Sequence, residues 1–391
     1  MIADTKKLTQ EAVELLQNLI RTESISRNED IAADLLQNYM HSKNLPTHRS
    51  GNNIWTIAPD FDESRQTILL NAHIDTVKPS SSYTRNPFEP TIEDDILYGL
   101  GSNDDGGGLV SLLQAFRVLK DRKRDYNLVY LASCEEEVSG KNGIESVLPL
   151  LPKIDVAIVG EPTGMQPAVA EKGLMVLDVT ATGKAGHAAR NEGENAIYKA
   201  LGWIEWFRDY QFEKVSDLLG ANKMSVTVIN AGTQHNVVPD KCTFVVDVRT
   251  NELYSNQEVF DIIKSHVPGA EYRSTRLNSS RISTSHPLIQ KLVGMGKKPF
   301  GSPTLSDQAL MRFPSFKLGP GESSRSHTAD EFIKISEIED AIGTYISLLS
   351  RPFLFGMPSG FVRDMCKFFR LRCVSGGVFA FFASFLLVLC R

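Results

Sequence analysis

A chain of 391 residues with 42% hydrophobic and 23% charged residues has the make-up of a folded globular protein, and its length favours two domains. A formal net charge of −5, with no dense Lys/Arg block in the body of the chain, excludes nucleic acid as an expected partner. Five cysteines, odd in number and irregularly spaced, give neither a disulfide framework nor a CxxC metal site, and no apolar run follows the N-terminal residues, so a cytoplasmic protein is expected.

Residues 8–20 and 30–40 carry apolar positions at helical spacing. Strand-like segments follow at 53–58 and 67–70, the second running into Asn71-Ala72-His73-Ile74-Asp75-Thr76. The stretch Tyr98-Gly99-Leu100-Gly101-Ser102-Asn103-Asp104-Asp105-Gly106-Gly107-Gly108 sets a pair of carboxylates among five glycines, just before a helix at 109–116. Glycine suits a backbone that turns sharply or approaches something closely. A carboxylate on such a turn is either an N-cap or a metal ligand. Residues 127–132 form a short apolar strand ending in Ser133-Cys134-Glu135-Glu136-Glu137, and 156–159 form another, ending in Gly160-Glu161-Pro162-Thr163.

The segment from 174 to 277 differs in texture. Strands are expected at 174–182, 225–230 and 242–248, with helices at 195–210 and 259–266, which reads as a small α/β domain inserted into a larger one. The strand-like 316–319 then leads to Pro320-Gly321-Glu322-Ser323-Ser324-Arg325-Ser326-His327, and a helix over 335–350 closes the body. Beyond it, basic residues precede an uncharged run from Cys373 to Cys390. Its length is at the lower limit of the ~17–25 residues that span a membrane. The tail is expected either to tether the chain to a membrane or to form no defined structure.

Short apolar strands alternating with helices imply an α/β sheet buried on both faces. His73, Glu136, Glu137, Glu161 and His327 all fall just past a strand, at the edge where open α/β sheets bind ligands. Each has a bland reading alone: a satisfied strand-end histidine, a solvated acidic loop, a turn, a helix entry. Acids clustered beside buried strands are costly unless a cation balances them.

In this order, HIDT at His73, YGLGSNDDGG around Asp104, the triplet ending at Glu137, GEPT at Glu161, GKAGHAAR at His187, HNVVPDKC at Asn236 and SHTADEF at His327 resemble a known group. It is the dinuclear zinc aminoacylase and carboxypeptidase family, which includes acetylornithine deacetylase and succinyl-diaminopimelate desuccinylase. The resemblance covers about residues 8–350. It implies a zinc-peptidase-like catalytic domain (1–172 and 279–350) with a central mixed sheet and helices on both faces. It also implies an inserted ferredoxin-like dimerisation domain at 173–278, leaving 351–391 as an extension.

On that resemblance, two zinc ions per subunit, replaceable by cobalt, would be bridged by Asp104. His73 and Glu161 would complete one site, Glu137 and His327 the other. Asp75 would orient His73, and Glu136 would be the general acid/base. His187 would act across the dimer on the partner's substrate, and Asn236 and Arg249 would bind substrate oxygens. The implied reaction is removal of an acyl group from an N-acyl-L-amino acid in arginine biosynthesis, with N-acetylornithine, N-acetylcitrulline or N-succinylornithine foremost. A dipeptidase or exopeptidase, or a non-catalytic metal-binding member, is the alternative. Many relatives carry Asp-Met-Lys-Gly where this chain has Asp104-Asp105-Gly106-Gly107, and a cis Asp104–Asp105 peptide is expected.

Overall fold

Strands Thr67–His73 and Asn127–Ser133 are buried along their whole length, as continuous Leu/Ile/Val runs require of strands covered on both faces. The computed structural model containing them describes residues 2–190 and 192–350. The tail at 351–391, with its expected tether, lies outside the described residues. No described helix is long and apolar enough to cross a membrane.

Among the described residues the central sheet has nine strands. Its order begins His48–Ser50, Asn53–Ile57, Asn127–Ser133, Thr67–His73, Val156–Val159, Ser315–Lys317 and Ala168–Glu171. Thr67–His73 is parallel to both its neighbours, and Ser315–Lys317 is parallel to Val156–Val159. Asn53–Ile57 runs antiparallel to Asn127–Ser133, so the sheet is mixed. Alternation divides each strand between two cores. Leu69, Val129, Leu131 and Ala157 pack with Ile144, Val147 and Leu151 on one face. On the other, Tyr130 lies against Phe116 of helix Gly107–Leu119 and donates a hydrogen bond to the Leu109 carbonyl. Helices Ile2–Ile20 and Ile335–Leu349 pack on that helix.

A second, antiparallel sheet runs in the order Lys223–Ala231, Lys241–Thr250, Gly173–Thr182, Ala270–Tyr272. Its alternating strands bury Leu177, Val179, Phe244 and Val246 against Phe207 and Ile263 of helices Ala196–Asp209 and Asn256–His266. Asn195 caps the first helix through the Ile197 amide, and Ser255 with Glu258 forms a capping box on the second. Contacts hold both sheets in one compact unit.

Every expected helix and strand of the body is present, shifted by one to three residues at most ends and by six at the start of the first helix. Several elements of two to four residues, such as Thr91–Glu93, Ile96–Tyr98 and Phe332–Lys334, were not anticipated, because they are too short to show a period and are not continuous apolar runs. The parallel strands end so close together that a Cβ at Gly319 would lie 1.7 Å from the Gly160 carbonyl oxygen. Gly319→Ala is expected to destabilise the protein by about 1–3 kcal/mol or more. Urea unfolding measures it, and an unchanged midpoint would contradict this account of the packing.

Candidate metal centre

Three adjacent parallel strands deliver the first donors. Thr67–His73 ends in His73, Asn127–Ser133 leads into the single turn Glu136–Val138, and Val156–Val159 leads to Glu161. His73 is buried, and its Nδ1 lies 2.9 Å from the Asp75 main-chain oxygen. A carbonyl only accepts, so Nδ1 carries the proton and Nε2 faces the carboxylates. Nε2 is 3.2 Å from Asp104 Oδ1, 3.8 Å from Glu161 Oε1 and 3.9 Å from Glu136 Oε2. His327, at φ 59°, places Nε2 2.9 Å from Glu137 Oε2 and 3.6 Å from Asp104 Oδ2. Ligand atoms of His73, Asp104 and Glu137, and those of His73, Glu136 and Glu161, lie within 4.8 Å of one another in each group, close enough to share an ion.

Asp75 differs from the expectation in detail. Its carboxylate is 3.5 Å from His73 Nδ1, beyond hydrogen-bond range. Instead it accepts from Ser26 Oγ (2.6 Å) and from the amides of Glu136 (3.0 Å) and Glu137 (3.2 Å). It therefore holds the acidic turn, while its main chain holds His73. The three consecutive glutamates diverge: Glu135 accepts from Asn142, Glu136 faces His73, and Glu137 meets His327.

Asp104 sits in the irregular helical turn Ser102–Gly106, with a cis Asp104–Asp105 bond. The Glu331 carboxylate accepts from the amides of Gly101, Asn103 and Asp104 at 2.9–3.0 Å. Asn103 ties the same turn to Glu322 and Ser326.

The charge balance is lopsided. Burial, joined by neighbouring carboxylates, pushes Glu136 well above the ordinary range and raises Glu137 and Glu161. Burial also lifts Asp307 and Glu171 to about 7 and Glu331 to about 8. Burial pulls His73 down, but the carboxylates of Asp104, Asp75 and Glu136 around its ring hold it well above its usual value. The Glu137 hydrogen bond raises His327 to about 9. A compact set of imidazoles and carboxylates, short of positive charge, fits a pair of divalent ions.

His187, Asn236 and Arg249 lie elsewhere. His187 and Asn236 are exposed at a short two-stranded antiparallel sheet, Gly186–His187 with Val237–Val238, where Ala188 N donates to Asn236 O. Arg249 forms a two-point ion pair with Asp247. None of the three has a hydrogen bond or ion pair to the cluster among the described residues.

Sequence reading missed Glu331, Asp307 and the buried pair Lys317 and Glu171. Asp307 accepts from Ser133 Oγ at 2.6 Å, beneath the acidic turn. The available signal was a charge closing a short apolar strand, as in Ser-Phe-Lys and Ala-Val-Ala-Glu.

The profile of peptidase family M20/M25/M40 matches residues 69–351. The chain belongs to this family. This M20 hydrolase is 26% identical over 362 residues to an acetylornithine deacetylase of Proteus mirabilis (strain HI4320), covering 84% of this chain and 93% of that one. A tripeptidase from Staphylococcus aureus subsp. aureus Mu50 shares the fold with a TM-score of 0.71 at 19% identity, covering 88% of this chain and 98% of its own. YxeP of Bacillus subtilis, a dinuclear metal-binding peptidase from family M20, gives 0.67 at 14% identity, covering 88% and 98%.

The raised carboxyls set a pH dependence for the metal-free M20 protein. They stabilise the fold fully below their unfolded values of 3.8–4.5, and lose that contribution as pH rises through about 7 for Glu171 and Asp307 and about 8 for Glu331. The raised histidines act in the same direction, fully below 6.5 and fading above it, to about 9 for His327. Asp75 and Asp104, held low, lose their contribution only as pH falls through 3.8 and below. Metal binding needs ionised carboxylates and neutral imidazoles, so it strengthens with pH. The gap in Tm between metal-loaded and chelator-stripped protein is expected to widen from about pH 5 to about pH 8. Thermal circular dichroism measures it, and a gap independent of pH would count against the cluster as a metal site.

Proposed function

We propose that this M20 hydrolase is a dinuclear zinc amidohydrolase that removes the acyl group from an N-acyl-L-amino acid. The observation that carries the proposal is Glu136. Glu137 is paired with His327 and Glu161 with Lys317, whereas the charged neighbour of Glu136 is His73 at 3.9 Å. A buried carboxyl with so little compensation takes up a proton readily, which suits a general acid/base.

Asp104 is assigned as the bridge, with His73 and Glu161 on one ion and Glu137 and His327 on the other. Zinc, replaceable by cobalt, would lower the pKa of a bound water and polarise the amide carbonyl. Glu136 accepts the proton of the attacking water and returns it to the leaving nitrogen. Asp75 holds the turn that aims Glu136. The products are a carboxylate and a free α-amine.

The segment 173–278 is proposed as an inserted dimerisation domain. Its edge strand Lys223–Ala231 exposes Val228 and Ile229, and the neighbouring helix exposes Tyr198 and Leu201. An uncovered apolar edge of this kind pairs readily with another copy. Beside it lies an open groove of about 800 Å³ lined by Ala188, Tyr198, His235 and Val237. In a homodimer His187 would serve the partner's site, stabilising negative charge on the carbonyl oxygen, and Asn236 and Arg249 would bind substrate oxygens.

N-acetylornithine, or N-acetylcitrulline or N-succinylornithine, is the proposed substrate, in arginine biosynthesis in the cytoplasm. The Proteus mirabilis relative supports this reading at 26% identity. The tripeptidase fold keeps exopeptidase or dipeptidase activity as the second reading. A non-catalytic role gives no reason for Glu136 to stand beside the donors with His73 at 3.9 Å as its charged neighbour.

Glu136→Gln is expected to keep the metal content and lose about 10²–10⁴-fold in kcat; turnover at the wild-type rate would refute the assignment. Mixing His187→Ala with Glu136→Gln subunits should rebuild one working site per heterodimer; no recovery of activity would place His187 within its own chain or outside catalysis. A panel of N-acetyl, N-succinyl and dipeptide substrates decides between the readings, since amino-acid release from dipeptides alone would replace the first by the second.

A further inference from the structure

Lys317 is the last residue of strand Ser315–Lys317, paired with Val159 on one side and Ala168 on the other. Its side chain is 2% exposed. The ammonium lies 3.5 Å from Glu161 Oε2 and 3.3 Å from Glu171 Oε2. It also donates to Thr304 Oγ1 at 3.2 Å and to the Thr304 carbonyl at 3.3 Å. Glu171 is anchored in turn by Ser306 Oγ at 2.7 Å. A lysine this deep is costly unless its charge is matched, and here two carboxylates and the 304–305 backbone match it.

The two oxygens of Glu161 therefore have different surroundings. Oε2 faces Lys317, and Oε1 faces His73 Nε2 at 3.8 Å. A carboxylate without such a neighbour can offer both oxygens to one ion. Glu161 has one oxygen in an ion pair with Lys317, at a distance longer than a hydrogen bond.

We propose that Lys317 is a positioning residue for the metal centre: it holds Glu161 Oε2, so that Glu161 offers a single oxygen to its ion and leaves a coordination position for water and substrate. The inference rests on the reading of Glu161 as a metal ligand. A lysine serving stability alone would alter unfolding but not the coordination of the ion.

The test uses metal-free full-length protein titrated with Co²⁺, followed by calorimetry and by the visible absorption of the bound ion, which weakens as coordination number rises. Lys317→Met/Glu171→Gln removes the ammonium together with one of the acids it balances. If circular dichroism shows this variant folded, one of the two ions should bind at least as tightly as in the wild type, with a weaker visible band, because Glu161 is free to bring its second oxygen onto the ion. Glu171→Gln alone, which leaves Lys317 on Glu161, should keep the wild-type band. A folded double variant with the wild-type spectrum would overturn the inference while leaving the metal centre standing. Failure of the wild type itself to bind Co²⁺ at the cluster would instead overturn the metal reading. A crystal structure of the zinc-loaded wild type decides the point without any variant: one Glu161 oxygen on the ion and the other on Lys317 supports the proposal, and both oxygens on the ion refutes it.

Discussion

Concentrated negative charge at the carboxyl edge of a buried sheet is the constraint on which the rest of this structure depends. Asp104, Glu136, Glu137 and Glu161 approach His73 and His327 within a few ångströms, in a space where burial penalises every ionised group. Protonation relieves the penalty at low pH, and cations relieve it at higher pH. The strand order makes the arrangement possible. His73 stands on the middle strand of three, with the acidic turn beyond one neighbour and Glu161 beyond the other.

Positioning is shared among loops remote in sequence. Glu331 collects three amides of the Asp104 turn, and Asp75 collects two amides of the Glu136 turn. Each buried acid thus shapes the backbone that presents another acid. Close packing of Gly319 on Gly160 fixes the Glu161 loop against the segment leading to His327. A displacement at any one of these points moves a donor, and catalytic geometry tolerates little displacement.

The donors were legible mainly because their motifs, in order, resemble a known family; a histidine or acid near the end of a short apolar run is conspicuous but has a bland reading alone. Their supports were not legible in the same way. Lys317 and Glu171 sit within strands that otherwise read as core, and only the pairing of Ser315–Lys317 between Val156–Val159 and Ala168–Glu171 brings the two charges together. Asp307 looks like a loop residue until Ser133 is found 2.6 Å away. The main-chain role of Asp75 toward His73 was equally hidden, since a His-x-Asp spacing fits a carboxylate contact and a carbonyl contact alike.

The donor set and the selection of substrate are separable in this fold. An acetylornithine deacetylase is a sequence relative, and a tripeptidase shares the fold. The proposed pair of metal ions and carboxyl base would act on an amide whatever flanks it, so they carry little information about which amide is cut. Discrimination requires groups that touch the substrate on either side of the bond that is cut, where an unmatched polar contact is costly. His187 and Asn236 are exposed, with no bond to the cluster of their own chain, and Arg249 is engaged with Asp247. If those side chains do meet substrate, they need a second subunit or a movement of the four-stranded sheet. Selectivity would then depend on assembly, while the hydrolytic chemistry depends on the single chain.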